Sequence, residues 1–226
     1  MRKSRLVPLR IIVHTGAWVP LAWLAWTYFS GGLGVNPIQA AEQWTGRFAA
    51  VHLALSLACT PLNTLFGWHD TLKVRRALGL YAFMYAGVHL SILIGLDYGF
   101  AFDLLWADLA SKPFILVGAA ALTILLLLAV TSFKWWMRKL GQNWKRLHRL
   151  VYLAGPLVAL HYAWAQKGDL FSLRGNIALP LVYALIVATL LVLRIPRVRR
   201  AITAGRLSLT PRPPLLRREA KYGAKK

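Results

Sequence analysis

The chain has 226 residues, of which 58% are apolar, and its mean hydropathy is +0.50 even though 28 residues are Lys or Arg. Soluble domains are about 45–50% apolar, and a domain of this size cannot bury so much apolar surface. The composition therefore excludes an ordinary soluble protein and predicts an integral membrane protein. One cysteine, Cys59, excludes an intramolecular disulfide and an iron–sulfur cluster held by this chain alone.

Six apolar segments are each long enough to cross the roughly 30 Å hydrocarbon core of a bilayer. A backbone that spans lipid must satisfy its own hydrogen bonds, so we predict helices. The expected fold is an all-α integral membrane bundle of six transmembrane helices at residues 11–194. A basic N-terminus (1–10) precedes the bundle, and a basic, disordered tail (195–226) that contacts anionic lipid follows it. The six segments are Ile11–Phe29, Trp44–Phe66, Ala77–Leu96, Pro113–Ser132, Leu150–Gln166 and Ile177–Leu193.

The basic residues predict how the bundle is oriented. Cytoplasmic loops are enriched in Lys and Arg, and here the side that carries the N-terminus receives nearly all of the 28 basic residues. The N-terminus and C-terminus are therefore both expected inside. Because the charges mark helix ends and do not form one groove, nucleic acid is excluded as a partner. The outer side keeps only Arg47, Lys112, Lys167 and Arg174, together with the acids Glu42, Asp97, Asp103, Asp108 and Asp169.

Two histidines are predicted to lie at the same depth on parallel helices. His89 follows Arg76 by 13 residues in the third segment, and His161 follows Arg149 by 12 residues in the fifth. At about 1.5 Å per residue, both imidazoles lie roughly 18–22 Å above the inner boundary. Two imidazoles that face each other in a helix bundle can ligate heme iron from opposite sides.

A third histidine, His148, precedes His161 by 13 residues on the same helix, which is about 20 Å along the axis. On an ideal helix the two rings would not share a face, because 13 steps rotate by about 220°. A kink at Gly155 and Pro156 would bring them onto one face.

The position opposite His148 on the third helix is occupied by Arg75 and Arg76. A guanidinium cannot ligate iron, but it suits phosphate or carboxylate groups. We therefore expect an anionic cofactor group at the inner end of the bundle, although arginines there also serve as simple membrane anchors. His52 lies near the depth of His89 and competes with it for the heme, and His14 would face His148. For both of these histidines a packing role is the commoner one.

Short stretches throughout the chain carry a resemblance to a known family. They are Gly32-Leu33-Gly34, Asn36-Pro37, Thr45-Gly46, Thr60-Pro61-Leu62, Arg75-Arg76, Leu78-Gly79-Leu80, His89-Leu90, Pro113-Phe114, Leu140-Gly141, Trp144, Leu147-His148-Arg149-Leu150-Val151-Tyr152, His161-Tyr162 and Trp164. From about residue 10 to 195 the chain resembles the MsrQ (YedZ) family. These proteins are the heme-binding membrane subunits of the periplasmic protein-methionine-sulfoxide reductase system, within the ferric-reductase-like transmembrane group.

The resemblance implies an electron-transfer subunit of the bacterial inner membrane that performs no substrate chemistry of its own. Electrons would pass from respiratory quinones, through heme b and FMN, to a periplasmic molybdenum-containing methionine-sulfoxide reductase subunit. The family's heme histidines map onto His89, His148 and His161. Its flavin is expected at Arg75 and Arg76.

Two other functions compete with this one. A ferric reductase or NADPH oxidase needs a nucleotide-binding domain with a Gly-rich βαβ fingerprint, and none occurs after the sixth segment. That reading requires a separate cytosolic flavin reductase. A transporter or scaffold that relays protons normally needs carboxylates within the membrane, and the six segments contain no Asp or Glu.

Overall fold

The computed structural model describes residues 6–167 and 175–209, and within these ranges the fold is entirely helical. Residues 168–174, which include Asp169 and Arg174, and residues 210–226 of the basic tail lie outside the described residues. The helices are α1 (Leu6–Phe29), α2 (Pro37–Phe66), α3 (His69–Ile92, continued by a π-helical turn, Leu93–Asp97), α4 (Phe102–Ser111), α5 (Pro113–Val130), α6 (Lys134–Leu140), α7 (Gln142–Leu147, followed by a 3₁₀ turn, His148–Leu150), α8 (Val151–Ala165), α9 (Ala178–Val192) and α10 (Pro196–Leu209).

Four helices in the described ranges are long and apolar enough to cross a membrane: α1, α2, α3 with its π-helical turn, and α5. α9 adds a fifth span if it is counted together with α10, which is bent from it by 74°. The predicted all-α fold is thus confirmed. The predicted fifth and sixth spans coincide with α8 and α9, which have 15 residues each and are about 22 Å long. Six spans, and the N-in and C-in orientation, stay predictions.

The bundle is built around α2, whose buried residues follow helical spacing and face α3, α5 and α8. The centre of the core contains Leu53 and Leu57 of α2 packed against Ala82, Leu125 and Ala154 of the three neighbouring helices. Cys59 is a buried free thiol on the same helix.

Local signals set both ends of α2. The Asn36 side chain accepts a hydrogen bond from the Gln39 N–H, and Pro37 occupies the first turn, where its missing N–H costs nothing. Gly67 ends the helix at φ 69°, a left-handed conformation that glycine adopts without strain. The chain reverses there, so α3 runs back along α2.

Large apolar side chains also point outward from the bundle. On α1, Trp18, Trp23, Trp26 and Phe29 are each more than half exposed. Monomeric soluble proteins rarely expose so large an apolar surface. This surface fits contact with lipid, and the tryptophans are suited to the membrane interface.

The expectation of a disordered tail from residue 195 onward is wrong for Pro196–Leu209, which form α10. Val198 and Ile202 are half-buried on one side of this helix, while the exposed Arg197, Arg199 and Arg200 lie on the rest of its surface. Arg206 fixes α10 to the end of α2 by donating to the carbonyls of Asn63 and Thr64. The basic composition concealed an apolar stripe of helical period, which stabilises the helix by packing on α2.

Candidate cofactor sites

His89 and His161 lie next to each other between α3 and α8. His89 is in the last turn of α3 and His161 is four residues before the end of α8. Their ring centroids are 6.2 Å apart, and the ring planes cross at 80°. A metal ion bound to one nitrogen of each ring, with bonds of about 2 Å, would also put the ring centres about 6 Å apart. The separation of the rings therefore fits one iron between them.

Both rings of this pair are held by backbone carbonyls through Nδ1. His89 Nδ1 lies 3.0 Å from the Glu42 carbonyl oxygen on α2, and His161 Nδ1 lies 2.8 Å from the Phe114 carbonyl oxygen on α5. A carbonyl only accepts, so each Nδ1 carries the hydrogen, and each neutral ring presents an unprotonated Nε2. This arrangement is typical of metal-binding histidines, whose second nitrogen donates to a carbonyl or carboxylate.

His52 belongs to an aromatic cluster elsewhere in the bundle. Its ring is buried and stacks on Tyr85 at 5.1 Å, and its Nδ1 donates to the Phe48 carbonyl at 2.7 Å. The Nδ1 of His14 forms a 2.6 Å hydrogen bond with the Tyr81 hydroxyl on α3. Both histidines have packing and hydrogen-bonding partners that account for their presence.

His148 lies in the 3₁₀ turn that precedes α8, whereas His161 lies near the other end of that helix. The helix changes its phase in this turn, because a 3₁₀ turn rotates more per residue than an α-helix. The predicted kink region has another role: a Cβ at Gly155 would lie 2.9 Å from Val187 and 3.3 Å from Leu57. Gly155 thus lets α8 pack closely on α9 and α2.

The partners of His148 differ from those of the other two histidines. Its ring packs on Trp144 at 4.0 Å, and its Nε2 lies 3.1 Å from the Thr131 hydroxyl. That hydroxyl donates to the Leu127 carbonyl, so its oxygen accepts the hydrogen from His148 Nε2. Burial lowers the pKa of His148, and the guanidinium groups of Arg75 and Arg76 lower it further. Both effects favour the neutral imidazole, and with Nε2 donating to Thr131 the acceptor nitrogen of that form is Nδ1.

A cavity of about 510 Å³ opens beside His148 and is lined by residues of α2, α3, α5, α6, α7 and α8 and by Arg194, which follows α9. Five cationic side chains line this cationic cavity, and no carboxylate is among the described residues that line it. Its volume lies in the range of sites that bind cofactors and drug-sized molecules. Its charge suits a ligand with phosphate or carboxylate groups. The cationic residues are Arg75, Arg76, Lys145, Arg149 and Arg194.

Several residues of these sites were not singled out from the sequence. In the sequence, Arg194 is only one of many basic residues after the last helix, and Thr131 lies in an apolar run, so no pattern marks either of them as a site residue. The carbonyls of Glu42 and Phe114 carry no side-chain signal at all. Pro61 in α2 does give a sequence signal. Because proline has no N–H, it leaves the Leu57 carbonyl, four residues earlier, without its helical donor, and Arg194 supplies one.

Comparisons with known proteins agree with this architecture. Residues 45–160 match the family described as ferric reductase like transmembrane component. The fold and this match define the class: a helical membrane protein of the ferric-reductase-like transmembrane group.

Similarity to individual proteins narrows the class. A protein-methionine-sulfoxide reductase heme-binding subunit MsrQ from Rhodospirillum rubrum is 42% identical over 193 residues, covering 84% of this chain and 89% of the relative. MsrQ of Deinococcus radiodurans is 46% identical, covering 70% and 78%, and that of Xanthomonas euvesicatoria is 38% identical, covering 83% and 86%. The chain belongs to the MsrQ family.

Proposed function

We propose that this protein is the membrane cytochrome b subunit of a methionine-sulfoxide reductase system, with heme held between His89 and His161. The observation that carries the proposal is the histidine pair, with ring centroids 6.2 Å apart and each Nδ1 bonded to a helix carbonyl. The names of the relatives, which describe them as heme-binding subunits, support the same assignment.

The residues present fit a heme. Two neutral imidazoles, those of His89 and His161, would hold the iron of a b-type heme. Bound heme would supply a site that takes up and releases one electron at a time. The protein's part is to hold both rings, fix the protonation of Nδ1, and surround the pair with apolar helices that limit access of water.

We also propose that the cationic cavity binds FMN. Arg75 and Arg76 would hold its phosphate, since guanidinium groups form paired, charge-assisted hydrogen bonds with phosphate oxygens. His148 lies at the wall of the same cavity. It remains a third candidate iron ligand, and it would bind through Nδ1 because Nε2 is engaged by Thr131.

In the proposed physiological role, electrons enter from respiratory quinones and leave to a periplasmic molybdenum-containing reductase subunit that repairs methionine sulfoxide. This chain then acts as an electron-transfer subunit, and the catalytic residues belong to the partner. The role requires a bacterial inner-membrane location with six spans and both termini inside. The distribution of Lys and Arg supports that orientation, which puts the histidine pair nearer the periplasm and the cationic cavity nearer the cytoplasm.

The decisive experiment is the stoichiometry of heme and flavin on the purified protein, together with its reduced visible spectrum. We expect a Soret band and a sharp b-type α band, and both should be lost in His89→Ala and in His161→Ala. Reduction by a quinol analogue tests the electron donor. A wild-type protein without b-type bands would contradict the proposal.

The match to ferric-reductase-like proteins favours one second candidate, a transmembrane electron carrier fed by a separate cytosolic flavin reductase. The two roles differ in their donor. Heme reduction that needs NADPH and a soluble reductase, and that quinol does not support, would favour the second candidate.

A further inference from the structure

The two backbone carbonyls that hold the histidine pair share one local feature of the sequence. Glu42 is followed four residues later by Gly46, and Phe114 is followed four residues later by Gly118. In an α-helix the residue at i+4 donates its N–H to the carbonyl of residue i, and its side chain points back toward that turn. A side chain at i+4 therefore flanks the carbonyl, and glycine leaves it uncovered.

The distances show how closely each ring fills the uncovered space. A Cβ at Gly118 would lie 2.7 Å from His161 Nδ1 and 2.8 Å from Cε1, closer than van der Waals contact permits. A Cβ at Gly46 would lie 3.5 Å from the same two atoms of His89, an ordinary contact. The arrangement is thus repeated on two pairs of helices, tightly on α5 and α8 and more loosely on α2 and α3. Each hydrogen bond joins residues 47 apart in the sequence.

We propose that Gly118 is a positioning residue for the heme ligand His161. Its missing side chain lets the imidazole lie against α5, so that Nδ1 donates to the Phe114 carbonyl while Nε2 faces His89. Gly46 allows the same contact for His89 with room to spare. This inference rests on the proposed heme site and adds a residue that acts on it through His161.

The contact has a chemical consequence beyond packing. A carbonyl that accepts the Nδ1 hydrogen fixes the tautomer and makes Nε2 a stronger base toward iron. A methyl group at position 118 would push the ring away from Phe114 and turn Nε2 out of line with His89. Changes in such outer partners typically lower metal affinity by about 10- to 100-fold.

The test compares Gly118→Ala with Gly16→Ala on α1, where a Cβ meets nothing within 4 Å. We expect Gly118→Ala to lose heme about 10- to 100-fold more readily to an apo-protein acceptor. Its remaining heme should be high-spin and should bind carbon monoxide when reduced, and added imidazole should restore the low-spin spectrum. Gly16→Ala should keep the wild-type spectrum. A low-spin spectrum and wild-type heme retention in Gly118→Ala would overturn the inference.

A second comparison covers the case in which Gly118→Ala does not fold. In the His161→Ala background the ring is gone, so adding Gly118→Ala should not lower the amount of monodisperse apo-protein on size-exclusion chromatography. If the double variant accumulates less than His161→Ala, Gly118 serves general helix packing and the inference fails. Failure of the proposed function is seen separately, as a wild-type spectrum in His161→Ala itself.

Discussion

Arg194, two residues beyond the end of α9, donates from Nη2 and Nε to the backbone carbonyl of Leu57 in α2, at 2.7 and 3.2 Å. The residue four positions after Leu57 is Pro61, which has no N–H and so cannot form the helical hydrogen bond to that carbonyl. Arg194 thus satisfies an acceptor that α2 leaves open inside the bundle. The same guanidinium contacts the Tyr152 hydroxyl at 3.2 Å and lines the cationic cavity.

Arg194→Ala is predicted to destabilise the protein because it leaves the Leu57 carbonyl without its donor, at a cost of about 1–3 kcal/mol. Pro61→Ala restores an N–H to the helix, so the loss of Arg194 should cost less in that background. The apparent Tm of the four proteins in detergent measures the coupling. Arg197→Ala, an exposed arginine on α10, is the control and should match wild type. Equal losses of Tm in both backgrounds would mean that Arg194 acts through its charge and not through this carbonyl.

The double variant Arg75→Ala/Arg76→Ala is predicted to lose flavin while it keeps the heme bands, because these guanidiniums line the cationic cavity and not the histidine pair. Flavin fluorescence after acid release and the reduced visible spectrum measure the two cofactors. Arg138→Ala/Arg197→Ala removes the same charge from exposed positions and should retain flavin. Wild-type flavin content in the first variant would assign Arg75 and Arg76 to membrane anchoring.

His52→Ala is predicted to lower stability but to leave the reduced spectrum unchanged. The change removes the ring that stacks on Tyr85, which is fully buried, and truncation of a core side chain typically costs about 2 kcal/mol or more. His69→Ala, at an exposed position, should change neither Tm nor spectrum. Loss of the α band in His52→Ala would make His52 a competitor of His89 for the iron.

A pH-dependent contribution is predicted for Asp108, in the last turn of α4. The Lys112 ammonium, 2.6 Å away, and the Tyr98 hydroxyl bond its carboxylate and hold the pKa of Asp108 below its usual range. A carboxyl group whose pKa is lowered by folding stabilises the fold at pH values above its pKa in the unfolded chain, which is about 3.9. That contribution is lost as the pH falls through the folded pKa. The Tm difference between wild type and Asp108→Asn should therefore be present at neutral pH and disappear as the pH falls through the folded pKa of Asp108. A difference that persists unchanged in acid would contradict this account.

The sequence by itself determined the class of fold and the depth of the two histidines. Apolar length predicts membrane helices because a buried backbone in lipid must be helical, and the fixed rise per residue puts His89 and His161 level on parallel helices. The relation of the chain to MsrQ proteins was also predicted from the sequence, from short motifs along the chain. The helix α10 was not predicted, because the tail is basic in composition although its apolar residues repeat with helical spacing.

The tertiary structure alone decided which atoms the candidate ligands use. The bonds from His89 to Glu42, from His161 to Phe114 and from Arg194 to Leu57 join residues 47, 47 and 137 apart. Their acceptors are backbone carbonyls, which every residue carries, so residue type cannot mark them. They form only when each helix has its particular rotation and distance from its neighbour, and those follow from side-chain packing between helices. Glycine at positions 46 and 118 acquires its meaning there, as the space into which a facing imidazole fits.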